Sequence, residues 1–224
     1  MIIGLLLTVF PNKFLADTVS ENPTVTMIKD EDVREMLLSK AIEAFPEYEK
    51  EIRGETEINL GKTRNGSMGE VVICETRKLT DTDVVTYTQY DSGIVTTAVG
   101  LGIGKRETYM NPQGQYTDYY MNVWLTCGSS TSCLFVKDFR YRVYPNTYDE
   151  IGYTGNLNNS LCTTSSTIIE ELITKETSTD PAYVRYGGYF EFEAYTEFDT
   201  LPYYVYGRLI IEVENGSYTL SSSY

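Results

Sequence analysis

Two glutamates, Glu191 and Glu193 in the stretch GYFEFEAYTEFD, are the residues best placed for catalysis in this sequence. Alternate residues of a β-strand project from the same face about 7 Å apart, so these carboxylates would share one face. Such a pair can supply the acid and the base of glycoside hydrolysis. The same alternation is typical of the solvated outer face of an acidic protein, and we favour this simpler interpretation.

The chain contains no histidine. This excludes Ser-His-Asp and Cys-His hydrolases, histidine acid–base catalysis and histidine-ligated metal sites. The string GLGIGKR at residues 100–106 is glycine-rich like a phosphate-binding loop, but Arg106 stands where Ser or Thr must follow the lysine. Glycines that alternate along a strand more often mark a bend or close backbone packing. We therefore predict no cofactor and no metal ion.

Cys127 and Cys133 flank the short polar loop GSSTS. If they face each other across a hairpin, their Cα atoms lie within the range that a disulfide accepts. Zinc is disfavoured because the four cysteines include no short paired spacing of the kind that structural zinc sites use. We predict a Cys127–Cys133 disulfide, with free thiols as the alternative. Cys74 and Cys162 either form a second bridge or are small buried residues.

Tyrosine is frequent, with 20 residues in the chain. Its ring offers a flat apolar face and a hydroxyl, which suits both sugar stacking and protein interfaces. Tyr203, Tyr204 and Tyr206 are close together on one predicted strand, and they are the candidate binding residues. Packing within the sheets explains most of the other tyrosines.

Acidic residues outnumber basic ones by 32 to 18, which gives a net charge of −14. A nucleic-acid backbone or an anionic membrane surface would repel such a protein. We therefore expect neither as a partner. The composition instead fits a monomer that binds an extracellular macromolecule, whose identity the sequence does not reveal.

The first residues, 1–16, resemble a secretory signal segment. The apolar run Ile2–Phe10 is far shorter than the roughly 20 residues that a membrane-spanning helix needs, and a cleavage site is expected after Ala16. No basic residue precedes the run, which a start codon upstream of Met1 would explain. The alternative is an ordinary buried strand. We predict export, followed by an extended lead-in at residues 17–29.

Hydrophobic periodicity predicts one helix and many strands in a single domain at residues 30–224. A helical stripe at residues 31–53 indicates a helix with a break near Pro46. From residue 70 the period changes to two, which predicts strands up to the C-terminus, with turns at Asn111–Gly114 (NPQG) and at Asn215-Gly216. Residues 145–165 are loop-like, and residues 166–176 favour a short helix over a strand. The predicted fold is mainly β, antiparallel and sandwich-like, with the N-terminal helix packed on a sheet, or α+β if the second helix forms.

The strands that flank the two cysteines predict a specific hairpin register. Placing Cys127 opposite Cys133 also pairs Met121 with Phe139 and Asp118 with Arg142. One face of the hairpin is then mostly apolar, and the other carries an opposed acid–base pair. A slip by one residue would destroy this agreement.

The layout of a short apolar leader, the segment ENPTVTMI, a helix ending in FPEYEKEIRG and Thr/Tyr-rich strands resembles small secreted proteins of Gram-positive bacteria. Among these, it resembles the geobacillin-like group of secreted antimicrobial proteins. The resemblance implies export and carries no catalytic motif. It assigns no functional residue in this chain.

We expect a secreted, non-enzymatic, β-rich protein that binds another macromolecule. One alternative is an extracellular antimicrobial or toxin-like protein that uses its N-terminal amphipathic helix. A second alternative is a glycoside hydrolase that uses Glu191 and Glu193.

Overall fold

Strands dominate the structure, a computed structural model that describes residues 24–25, 31–59, 68–128, 133–160, 168–195 and 200–223. Its helical segment comprises α1 (Glu31–Ala44), a 3-10 turn (Pro46–Tyr48) and α2 (Glu49–Ile52). The described strands are β1 (Thr24–Val25), β2 (Val71–Lys78), β3 (Val84–Tyr90), β4 (Val95–Asn111), β5 (Gly114–Cys127), β6 (Cys133–Val143), β7 (Glu150–Tyr153), β8 (Asn156–Ser160), β9 (Ile168–Ile173), β10 (Ala182–Tyr195), β11 (Thr200–Glu214) and β12 (Ser217–Ser223). This strand content agrees with a composition rich in Tyr, Thr and Val.

The first eight strands form a large sheet in the order β1-β8-β6-β5-β4-β3-β2, with β7 also paired to β6. Its strand pairs are antiparallel, except that β1 and β8 run parallel. Strands β2 to β6 follow one another in both sequence and space, so that each hairpin extends the sheet by one strand. The turn predicted at Asn111–Gly114 joins β4 to β5.

The last four strands form a small antiparallel sheet in the order β12-β11-β10-β9. Asn215 and Gly216 connect β11 to β12, and both have positive φ angles, 52° and 77°. Asn-Gly favours this geometry because it matches the twist of the flanking strands. The predicted two-residue turn is therefore confirmed.

The two sheets pack face to face around a shared apolar core. Along β11, the side chains of Val205, Leu209 and Ile211 are fully buried. They belong to one core cluster with Met121 and Leu125 of β5, on the facing side of the large sheet. Inward apolar residues thus alternate with outward ones along the strands. The prediction of a mainly β, sandwich-like fold is confirmed.

The helical segment covers the opposite face of the large sheet. Leu37, Ala41 and Phe45 are buried there, in one cluster with Tyr87 and Trp124 of the sheet. The large sheet is therefore buried on both faces, and the layers are helix, large sheet and small sheet. This packing confirms the predicted placement of the N-terminal helix. Neither described α-helix is long and apolar enough to span a membrane.

The helix breaks at Pro46, as predicted. Helix α1 ends at Ala44, because proline has no N–H and its ring obstructs the preceding turn. Arg77 of β2 donates from Nη1 to the Ala44 carbonyl at 2.8 Å, and its guanidinium carbon lies 4.3 Å from the ring centroid of Phe45. Arg77 also pairs with Glu47. The sheet thus supplies a hydrogen-bond donor to a carbonyl group that has no partner within the helix after the break.

The β5–β6 hairpin has the predicted register only near its base. Met121 pairs with Phe139, as predicted, but Val123 pairs with Val136, one residue earlier than predicted. The extra residue is taken up close to Asp138, which has a φ of 58°. A bulge of this kind places two residues of one strand opposite one of its partner. The register prediction is therefore wrong at the hairpin tip.

This shift separates the cysteines that we predicted to form a disulfide. Thr126, rather than Cys127, lies opposite Cys133. Cys127 belongs to the core between the sheets, whereas Cys133 belongs to the cluster beneath the helix, because a slip of one residue turns a side chain to the other face. No two cysteines of the described residues are at disulfide distance, so the predicted bridge is wrong. Cys162 lies outside the described residues, and its bridge to Cys74 stays a prediction.

The segment predicted as a second helix, residues 166–176, contains strand β9 instead. Residues Ile168–Ile173 pair with β10 at the edge of the small sheet. Branched side chains suit a strand, and the pairing with β10 decides between two similar local preferences. Strands β7 and β8 likewise lie within the predicted loop at 145–165, where pairing with β6 supplies the partner.

Candidate functional site

A cleft opens at one end of the sandwich, where β4 loses its regular pairing with β5. Gly102 pairs with Met121 and Arg106 pairs with Tyr119, so three residues of β4 lie opposite one residue of β5. Gly104 lies in this bulge with a φ of 74°, which glycine adopts readily. The bulge bends the strand, in agreement with the bend predicted for the glycine-rich string.

The cleft occupies the mouth of the space between the two sheets. Its volume is about 500 Å³, within the range of small-ligand sites. Strands β2 to β6 of the large sheet form one side, and the start of β12 forms the other. Four tyrosines line it, namely Tyr119, Tyr120, Tyr141 and Tyr218. Its charged lining residues are Lys78, Asp81 and Arg106.

Stacked tyrosines form the inner wall of the cleft. The Tyr119 and Tyr141 rings lie nearly parallel with centroids 5.0 Å apart, and Tyr141 meets Tyr218 at 5.6 Å. The Tyr218 hydroxyl donates to the Thr82 carbonyl at 2.7 Å, which ties the small sheet to the β2–β3 turn. Burial raises the pKa of Tyr141 and of Tyr218, so both hydroxyls stay protonated at neutral pH. The wall is therefore uncharged and held in place.

The β2–β3 turn forms the rim of the cleft, on the side opposite the tyrosine wall. The Asp83 carboxylate accepts hydrogen bonds from the Gly102 N–H at 3.1 Å and from the Thr82 hydroxyl at 3.3 Å. The Thr80 hydroxyl oxygen accepts from the Asp83 N–H at 2.9 Å. These bonds attach the turn to the bulged strand β4. They hold Asp81 at the rim, where its side chain is exposed.

Arg106 and Lys78 bring positive charge to the cleft. Both residues are exposed, and the Arg106 guanidinium carbon lies 5.4 Å from the ring centroid of Tyr119. Cation–π attraction draws a guanidinium towards an aromatic face and leaves its N–H groups able to donate hydrogen bonds to a ligand. Among the described residues, the cleft thus presents two cations and one exposed carboxylate, in a protein whose net charge is −14.

The opposed acid–base pair predicted on β5 and β6 lies on the other face of the large sheet. The Asp118 carboxylate is almost fully buried, and it accepts a hydrogen bond from Nε of Arg142 at 3.0 Å. Nη1 of Arg140 lies 3.6 Å from the other carboxylate oxygen of Asp118. Burial raises the pKa of Asp118, and the two guanidinium groups oppose that shift. Asp118 is therefore a structural charge beneath the sheet surface.

The predicted catalytic residues Glu191 and Glu193 lie on β10 of the small sheet, outside the described lining of the cleft. Glu191 pairs with Tyr204 of β11, whereas Tyr203 pairs with the next residue of β10. Glu191, Glu193 and Tyr204 therefore share one strand parity, and Tyr203 has the other. The structure does not describe these four side chains, so their roles stay predictions.

Tyr206 is the one predicted binding residue whose side chain is described. Its hydroxyl donates to Glu170 of β9 at 2.8 Å, and Glu170 also accepts from Nε of Arg208 at 2.7 Å. The exposed Tyr189 ring meets the Tyr206 ring edge-on at 4.7 Å. Burial, together with the bond to Glu170, raises the pKa of Tyr206 to about 12. Tyr206 is thus engaged within the small sheet.

Sequence reasoning missed the cleft because its residues come from six strands and two turns. The glycine-rich string at 100–106 was the local signal, since it indicated a bend in a strand. No local pattern shows that Tyr119, Tyr141 and Tyr218 converge there. Among the described residues, no group of three acidic or cysteine side chains is arranged to hold a metal ion.

Comparisons with family models, curated proteins and solved structures find no match to this chain. The resemblance to secreted Gram-positive proteins therefore stays a prediction. The functional argument depends on the fold and on the geometry of the cleft.

Proposed function

We propose that this protein is a secreted, non-enzymatic binding protein, and that its cleft holds a segment of another macromolecule. The observation that carries the proposal is the cleft of about 500 Å³ with a stacked tyrosine wall. Tyrosine is frequent in binding sites because its rigid ring offers contact area together with a hydroxyl group. An open cleft at the end of a rigid sandwich suits part of a longer chain.

The charged lining supports binding rather than hydrolysis. Most glycoside hydrolases use two carboxyl groups, and Asp81 is the one carboxylate in the described lining. Tyr141 and Tyr218 are poor bases because burial keeps their hydroxyls protonated. No described contact favours the hydrolase alternative at Glu191 and Glu193.

The packing of the helix supports the binding proposal over the toxin-like alternative. A helix that leaves the protein to meet a membrane must first expose its apolar face. Leu37, Ala41 and Phe45 are each at most 2 % exposed against the large sheet. Exposing side chains such as Leu37 and Phe45 costs about 1.5–3 kcal/mol each. We therefore assign the helix a structural role.

Binding to an array of polysaccharides and synthetic peptides tests the proposal, with calorimetry for each ligand found. Tyr119→Ala should weaken cleft-dependent binding by about tenfold or more. Aromatic residues in a binding site usually account for most of the affinity that is lost on substitution by alanine. Ser217→Trp tests the same site independently by adding bulk at the rim. Tyr189→Ala is the matched control, since it removes an exposed tyrosine from the small sheet.

The proposal fails if Tyr119→Ala and Ser217→Trp both bind every array ligand as the wild type does. It also fails if the folded wild type binds no array ligand. Export forms part of the same proposal, and the signal-like residues 1–16 support it. Mass mapping of protein from its native culture should find a mature N-terminus near Asp17.

A further inference from the structure

We infer that the cleft selects an acidic oligosaccharide, whose carboxylate binds Arg106. This inference rests on the proposed binding function and names its ligand class. Three features of the cleft lead to it: the unpaired cations, the orientation of Arg106 and the hydroxyl-rich lining.

Among the described residues, Arg106 has no acidic partner, whereas most of the arginines do. Six arginines form ion pairs with carboxylates, namely Arg53, Arg77, Arg140, Arg142, Arg185 and Arg208. Within the described part of the chain, neither Arg106 nor Lys78 forms such a pair. In a chain with 32 acidic residues, two unpaired cations in one cleft leave a place for an external anion.

The position of Arg106 suits a carboxylate in particular. Its guanidinium carbon lies 5.4 Å from the ring centroid of Tyr119, which is stacked on Tyr141. A guanidinium presents parallel N–H groups that match the two oxygens of a carboxylate. Because the cation–π contact with Tyr119 restricts this side chain, less side-chain entropy is lost when the ligand binds. Lys78 supplies a second charge without a fixed geometry.

Hydroxyl groups favour a sugar over an acidic peptide. Hydroxyl-bearing residues line the cleft, among them Tyr119, Thr82 and Ser217. Val84 and Met121 are its only aliphatic lining residues among those described, and its other apolar surface is that of the tyrosine rings, on which a sugar ring can stack. A polyhydroxylated ligand can exchange its water for these hydroxyls and keep its hydrogen bonds. A carboxylated sugar chain satisfies both the hydroxyls and the cations.

Titration calorimetry with trigalacturonate tests the inference, and its fully methyl-esterified form is the matched neutral ligand. The wild type should bind the acid about tenfold or more tightly than the ester, since a charge-assisted hydrogen bond is lost on esterification. Arg106→Ala should remove that preference, and Lys78→Ala should reduce it. Arg106→Lys should recover only part of the affinity, because lysine lacks the planar fork.

Two exposed residues of the helical segment provide matched controls. Arg53→Ala and Lys50→Ala make the same charge changes as the cleft variants but far from it in the fold, and they should leave the acid preference intact. Raising the salt concentration should weaken binding of the acid more than binding of the ester. Thermal melting should show that all four alanine variants fold, because each removes an exposed side chain.

Three results overturn the inference alone, and a fourth overturns the proposed function with it. If acid and ester bind equally well and Tyr119→Ala weakens both, the cleft is a binding site without selectivity for anions. If tetraglutamate binds as tightly as trigalacturonate, the site recognises negative charge and does not prefer a sugar. If trigalacturonate does not bind at millimolar concentration while array ligands depend on Tyr119, the ligand class is wrong. If no ligand depends on Tyr119 or Ser217, both proposals fail.

Discussion

At the residue scale, Asp149 connects three segments that are distant in sequence. Its carboxylate accepts hydrogen bonds from the N–H of Tyr144 at 3.1 Å and from the N–H of Gly216 at 2.6 Å. Its own N–H donates to the Glu176 carboxylate at 2.8 Å. Asp149 is 2 % exposed, so water cannot replace these partners. The residue thus joins the end of β6, the β11–β12 turn and the chain that leads into β10.

We expect Asp149→Asn to destabilise the protein by about 1–3 kcal/mol, because the new amide nitrogen faces one of the two N–H donors. Urea unfolding measures the free energy of unfolding. Asp81→Asn is the control, since it makes the same change at an exposed residue, and it should remain within about 0.5 kcal/mol of the wild type. Equal stability of the two variants would show that the buried bonds of Asp149 contribute nothing.

The pH dependence of this loss follows from the pKa of Asp149. Burial raises that pKa above its ordinary value of 3.8, with Glu176 adding a smaller effect. The folded state therefore binds this proton more tightly than the unfolded state does. The stabilisation that comes from protonating Asp149 grows as the pH falls from neutral through the folded pKa towards 3.8. The gap between wild type and Asp149→Asn should widen over that interval; a gap that narrows would contradict this.

At the element scale, the bulge in the β5–β6 hairpin decides the chemistry of the cysteines. The Asp138 N–H donates to the Asn122 side-chain oxygen at 3.0 Å, a bond that holds the bulge. The base of the hairpin keeps the register that its apolar face requires. Beyond the bulge, Phe135 stacks on Trp124 at 4.7 Å on the helix side. Beyond the bulge, Phe135 therefore lies on the helix side of the sheet, and Cys127 lies in the core between the sheets.

We expect no Cys127–Cys133 cross-link in the native protein. Iodoacetamide under native, non-reducing conditions should label exposed Cys74 first, because Cys127 and Cys133 are buried. Burial also raises the pKa of the Cys127 thiol, which lowers its reactivity further. Unfolding without reductant should then expose both buried thiols. A linked peptide in a mass map would contradict the bulged register.

At the scale of the whole molecule, the core between the two sheets is filled beside Gly207 of β11 by the ring of Phe190, which belongs to the neighbouring strand β10 of the same sheet. A Cβ atom at this position would lie 2.7 Å from Cε2 of the Phe190 ring, and Phe190 is fully buried. That distance is shorter than a van der Waals contact between carbon atoms. The absence of a side chain at Gly207 therefore lets the Phe190 ring fill the space between the sheets.

We expect Gly207→Ala to destabilise the protein by about 1–3 kcal/mol, the usual effect of overpacking a core. Phe190→Leu alone should also destabilise it, because it leaves a cavity. In the double variant the smaller side chain makes room for the new methyl group. The combined loss in urea unfolding should then be less than the sum of the single losses. Strict additivity would show that the two positions do not compete for space.

Local signals predicted much of the fold. Pro46 marks the helix break because the missing N–H acts on its own turn. The Asn-Gly turn and the period-two strands likewise depend on neighbouring residues. Prediction failed where a distant partner decides, as at residues 166–176, where pairing with β10 overrides a local helix preference. The buried role of Asp149 arises in the same way, from segments far apart in the chain.

Residue types and their spacing along the chain account for the strand-rich composition, the acidic charge, the absence of histidine chemistry and the apolar faces that form two cores. Long-range packing accounts for the tip register of the hairpin, for the separation of Cys127 from Cys133 and for the meeting of Tyr119, Tyr141 and Tyr218 with Arg106 in one cleft. No local pattern encodes these features, because strand pairing and sheet packing join residues far apart in sequence, and a shift of one residue reverses the face on which each side chain lies.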